Sequence, residues 1–200
     1  MEGGLAPHLC SACNSPQPRL AGETYFSALS APIRFGQDQS SIQRRFYELS
    51  RALHPDRFAR SAPEVRQASL SRMSFLNEAF DFLKKREEIR EYLFSSFGVS
   101  CGGGGGLWMM ELSERWFEIQ ELQEPDIGQA VADFEVELLH KQSFLSDKIS
   151  ALESRFDDLP VGAPEQKKVL EEIQSLGLSQ NTLKSMIRDV QRLKARTGLG

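Results

Sequence analysis

Two hundred residues with a 40% hydrophobic fraction can bury a core, as one domain or two small ones. The formal charge of -4 divides unevenly, with 13 basic and 11 acidic side chains in residues 1–100 against 11 and 17 in residues 101–200. That balance lacks the concentrated basic footprint nucleic acid needs, and it points to two modules with different partners. No apolar run reaches the roughly eighteen residues that span a bilayer, and the first fifteen residues, free of Lys and Arg, resemble neither a secretory signal nor a transit peptide. A bacterial cytoplasm is the expected compartment.

Residues 1–21, with Pro7, Pro16, Pro18 and many small polar residues, read as a disordered leader. Cys10-Ser11-Ala12-Cys13 has the spacing of a metal knuckle, and His8 lies two residues before it. Structural zinc takes four ligands, so this single pair predicts at most weak zinc binding by Cys10 and Cys13 and no resident metal or other cofactor. With Cys101 the chain has three cysteines, too few and too scattered for a disulfide framework.

Thr24 is suited to cap a short helix over 24–29 that carries Tyr25 and Phe26. Ile42, Phe46, Leu49 and Leu53 then follow at steps of four, three and four, one stripe of a helix whose other face carries Arg44, Arg45, Glu48 and Arg51. Pro55 ends that helix, because it disfavours the α conformation at His54 and donates no backbone hydrogen bond. A second stripe, Val65, Ser69, Arg72 or Met73, Leu76, Phe80 and Leu83, begins after Pro63. Two such helices joined by a short loop pack antiparallel. Between them stands His54-Pro55-Asp56, a tripeptide expected by chance in roughly one chain in a hundred of this length. Taken alone it is a helix-terminating turn capped by Asp56, and the arginines are a solvated face. Its place between these two helices favours a functional reading.

Residues 98–106 end in Gly102 to Gly106 and predict a linker; no Lys-Ser or Lys-Thr follows, so it is not a phosphate cradle. Three helices are expected in 107–200. The first spans 107–123 with Trp108, Leu112, Trp116 and Ile119. The second, opening after Pro125, carries Ile127, Val131, Phe134, Leu138, Leu145, Leu152 and Phe156 at near-heptad spacing. Asp157 to Gly162 breaks it, and the third, from near Pro164, keeps Val169, Ile173, Leu176, Leu183, Ile187 and Val190 in register across Gly177. The first of these helices has more large apolar residues than one stripe absorbs, so part of Trp108, Met109, Met110, Leu112, Trp116 and Phe117 is expected to face a partner.

Tyr25-Phe26, the basic helix, His54-Pro55-Asp56 and Asn77-Glu78-Ala79-Phe80-Asp81-Phe82-Leu83 together resemble a J-domain over residues 22–97. With Glu87 to Leu93 and Leu107-Trp108-Met109-Met110-Glu111-Leu112-Ser113-Glu114-Arg115, the chain resembles the HscB type of J-domain co-chaperone, which serves iron-sulfur cluster assembly. The resemblance implies an all-α protein: a J-domain helical hairpin and a C-terminal three-helix bundle over 107–200. It implies a DnaK/HscA-type ATPase chaperone as partner of His54, Pro55, Asp56, Arg44, Arg45, Arg51 and Arg57. An IscU-type iron-sulfur scaffold protein is implied as partner of Met109, Met110, Leu112 and Glu114. The family's extended leader has two Cys-x-x-Cys pairs and only one is matched here, and the five-glycine run is not a family feature. The expected function is a co-chaperone that stimulates the chaperone's ATPase and delivers the scaffold for cluster transfer. The alternative keeps the J-domain and gives the C-terminal helices other clients or self-association. No triad, ligand cluster or carboxylate pair suggests an enzyme.

Overall fold

A computed structural model describes residues 8–100, 106–122 and 126–197. These residues form seven α-helices: α1 Tyr25–Ala28, α2 Gln39–Leu53, α3 Pro63–Leu83, α4 Arg86–Ser96, α5 Leu107–Glu121, α6 Asp126–Asp158 and α7 Pro164–Thr197. Among the described residues there is no β-strand, and a lone antiparallel bridge joins Leu9 to Pro16. The chain divides into two compact units, Met1–Leu93 and Phe94–Gly200. Cys101, four of the linker glycines, Gln123 and Pro125 lie outside the described residues.

In the first unit, Thr24 caps α1 as expected: its side chain accepts from Ser27 N while Ser27 closes a reciprocal capping box. Asp38 caps α2, and the Ser41 and Ser40 hydroxyls hold its carboxyl down to about 2. Helices α2 and α3 form the antiparallel hairpin. Gln39 Nε2 donates to Leu83 O at 2.9 Å at its far end, Phe46 stacks on Phe80 with centroids 4.2 Å apart, and Ser69 Oγ donates to Leu53 O at 2.6 Å beside the loop. Ile42, Leu49 and Leu53 are buried, as their periodicity predicts. Helix α3 buries a wider face, including Phe75, Leu76, Ala79 and Phe82, because it also receives α1. Tyr25 packs on Phe75 and Phe82, and Phe26 on Phe82 and Tyr92.

Residues 8–20 are not the unfolded tail their composition suggests. Arg72, fully buried on α3, donates from Nε to Gln17 O and from Nη2 to Pro18 O, both at 2.7 Å, and from Nη1 to the Glu23 carboxylate at 2.6 and 2.8 Å. The guanidinium thus supplies the hydrogen bonds that a proline-rich segment cannot make with itself. Glu23 also accepts from Leu20 N, and Arg19 lies 3.8 Å over the Phe75 ring.

In the second unit, the expected stripes meet. Met109, Leu112 and Ile119 of α5 pack with Val131, Phe134, Leu138 and Leu145 of α6 and Leu183, Ile187 and Val190 of α7. Trp116 stacks on Phe134 at 5.7 Å. Leu159 to Ala163 turns the chain between α6 and α7 through Gly162 at φ 83°. Helix α7 runs unbroken through Gly177, and Gln180–Ser146, Lys148–Glu172 and Lys194–Glu135 link it to α6.

Both charges of the Glu23–Arg72 pair are essentially removed from water. Removing one partner strands the other, so Glu23→Ala is expected to lower stability by about 3–5 kcal/mol. Replacing both by apolar residues of similar volume should cost markedly less. Urea unfolding of the two variants checks this.

Candidate functional site

The loop between α2 and α3 is built by its own sequence. His54 is extended, at φ -56° and ψ 131°, as a residue before proline must be, and Pro55 opens a single 3-10 turn over Pro55–Phe58. His54 Nδ1 accepts from Asp56 N at 3.3 Å, and Arg57 N donates to His54 O at 3.0 Å. The capping side chain is therefore His54, not Asp56. The Asp56 carboxylate is about 90% exposed and meets His54 Nδ1 at 3.5 Å, which leaves its oxygens open to a donor from outside.

The expected basic face divides. Arg44 and Arg51 are exposed on α2 and border a shallow depression with Ser40, Gln43, Tyr47 and Glu48. Arg57 is exposed on the 3-10 turn. Arg45 differs from them: it is half-buried and pairs with Glu48 at 3.4 Å. Tyr47, 54% exposed in the middle of this face, was not among the expected residues. Its position between Arg44 and Arg51 on the helix surface is the signal that could have found it.

The expected scaffold residues also divide. Met109 and Leu112 belong to the core, at 7% and 3% exposure, because α6 and α7 close over that side of α5. Met110 is 62% exposed and Glu114 is exposed too. With Phe117, 66% exposed, they line an open groove that reaches Thr182 of α7 and touches the edge of Met109. Glu111 and Glu118 are exposed on the same helix. This is an apolar strip with an acidic border, and Phe117 belongs in it while Leu112 does not. Ser113 Oγ is committed to Met109 O at 2.9 Å.

The leader's histidine is not available to a zinc at the two cysteines. His8 is buried, with Nε2 at 2.9 Å from Ala28 O and Nδ1 at 3.5 Å from the Arg72 guanidinium. Burial first, and Arg72 second, push its pKa down, which fits a neutral ring donating to Ala28. The imidazole is thereby taken from Cys10 and Cys13. Among the described residues no group of three His, Cys, Asp or Glu could hold a metal ion.

No family model matches the chain. It is similar to co-chaperone protein HscB of Proteus mirabilis, 35% identical over 75 residues, which cover 38% of this chain and 43% of that protein. The chain thus spans less than half the length of that curated relative. The fold superposes on the crystal structure of human co-chaperone protein HscB with a TM-score of 0.55 and 20% identity, covering 90% of each chain. Chaperone HscB from Vibrio cholerae gives a TM-score of 0.47 and 21% identity over 88% of this chain and 99% of that one.

The division on α5 has a direct check. Met109→Ser should lower the stability of the second unit by about 2–5 kcal/mol. Met110→Ser, one residue on, should change it by no more than about 0.5 kcal/mol. Thermal or urea unfolding reads both.

Proposed function

We propose that this chain, whose sequence over 75 residues and whose fold over 90% of its length are of the HscB type, is a co-chaperone of iron-sulfur cluster assembly. Its first unit stimulates the ATPase of a DnaK/HscA-type chaperone, and its second delivers an IscU-type scaffold. It performs no covalent chemistry in this role; the hydrolysis is the partner's. No described helix is long and apolar enough to cross a membrane.

The observation that carries the reading is the exposed Asp56 carboxylate at the end of a hairpin fixed by Gln39–Leu83, Phe46–Phe80 and Ser69–Leu53. A carboxylate held without an internal cation is suited to a bidentate arginine of a partner, a short charge-assisted contact. Arg44, Arg51 and Arg57 lie on the flank, where exposed charges steer association and are screened over about 8 Å at physiological salt. On the second unit, Met110 and Phe117 are the apolar centre and Glu114 the polar rim of the scaffold surface. Met109 and Leu112 hold that surface in shape from beneath.

Asp56→Asn is expected to reduce stimulated ATP hydrolysis to the chaperone's basal rate while leaving the melting curve unchanged. Met110→Ser with Phe117→Ser should weaken scaffold binding by at least tenfold, about 1.4 kcal/mol, and leave basal stimulation intact. A folded Asp56→Asn protein that still stimulates would refute the chaperone contact, and undiminished binding by the double variant would refute the scaffold surface. Steady-state ATPase assays and calorimetric titration distinguish these outcomes.

A further inference from the structure

The turn that holds the two leader cysteines is closed on itself. Leu9 bridges to Pro16, Cys10 N donates to Ser15 O at 2.9 Å, and Asn14 N donates to Cys10 O at 2.8 Å, with Asn14 in the left-handed region at φ 54°. Its base is fixed to the first unit through Gln17 O and Pro18 O on Arg72. Both thiols are free, with Cys13 exposed and Cys10 half-buried, three residues apart on the same closed turn. Cys13 Sγ is also 3.3 Å from Ser15 Oγ. With His8 turned into the core, no third ligand joins the two cysteines among the described residues.

We propose that Cys10 and Cys13 form a thiol–disulfide exchange site for small soluble disulfides of the glutathione type, with Cys13 as the attacking thiolate and Cys10 as the resolving thiol. The Cys13 thiolate attacks one sulfur of the external disulfide; that S–S bond breaks, and the departing thiolate takes a proton from solvent. Cys10 then loses its proton to solvent and attacks Cys13 Sγ, which expels the second small thiol and leaves a Cys10–Cys13 disulfide. Two protein thiols are oxidised and one external disulfide is reduced to two thiols. The reverse sequence reduces the pair.

Three features assign the roles. Exposure gives Cys13, not Cys10, the access an incoming disulfide requires. The Ser15 hydroxyl, the Ser15 backbone and the Cys10 thiol hold the Cys13 thiol below its usual range, which raises the thiolate fraction near neutral pH. The closed turn keeps Cys10 beside Cys13, so the resolving step is intramolecular and needs little further ordering of the chain.

The test uses the full chain carrying Cys101→Ser, incubated with oxidised glutathione at neutral pH, acid-quenched and weighed by mass spectrometry. The expected product has lost two hydrogens and carries no lasting adduct. Cys10→Ser in this background should trap one glutathione on Cys13. Cys13→Ser should leave Cys10 at least about tenfold less reactive to iodoacetamide than Cys13 is in the Cys10→Ser variant. Ser15→Ala should slow alkylation of Cys13 a few-fold at neutral pH. The proposal is overturned by persistent adducts on both cysteines, by Cys10 and Cys13 of equal reactivity, or by protein prepared without chelators that holds one zinc and resists alkylation at both thiols.

Discussion

The buried guanidinium of Arg72 is the contact on which the first unit's arrangement rests. An arginine taken out of water must place its donors on acceptors, and here two backbone carbonyls and one carboxylate receive them. Gln17 and Pro18 belong to the leader, Glu23 precedes α1, and Arg72 sits in the middle of α3. One side chain on α3 therefore ties down the leader and the segment before α1, which have few apolar residues to hold them otherwise. With the start of α1 fixed, Tyr25 and Phe26 reach Phe75 and Phe82, and α3 gains a second packed face.

The geometry of His54-Pro55-Asp56 is set by its own local hydrogen bonds and by the helix ends it joins. Ser69 holds the last carbonyl of α2, Pro55 prevents the helix from continuing, and His54 caps the turn that follows. Asp56 is then displayed without an internal cation to satisfy it. The second unit uses packing for the same purpose. Met109, Leu112 and Ile119 anchor α5 in the core, and the residues left over, Met110 and Phe117, form the apolar strip.

Much of this was legible in the sequence wherever periodicity carried the signal. Ile42, Leu49 and Leu53, the α6 residues from Ile127 to Phe156, and most of the α7 register are buried as their spacing predicts. The leader was not legible, because its order comes from one distant arginine binding backbone carbonyls, and carbonyls leave no trace in composition. Met109 and Met110 were not separable either. They point about 100° apart on a helix, and which one faces inward depends on where α6 and α7 lie. Arg45 shows the same limit: it borders the buried stripe, and its pairing with Glu48 depends on how α2 sits there.

Coupling of two partners by one chain is tested most directly by measuring both together. Single-turnover ATP hydrolysis by the chaperone should be followed with this protein alone, with scaffold alone, and with both. The account predicts stimulation by the pair well above the sum of the separate effects, reduced to the level of this protein alone when Met110 and Phe117 are replaced. Merely additive stimulation, or synergy that survives those replacements, would contradict it.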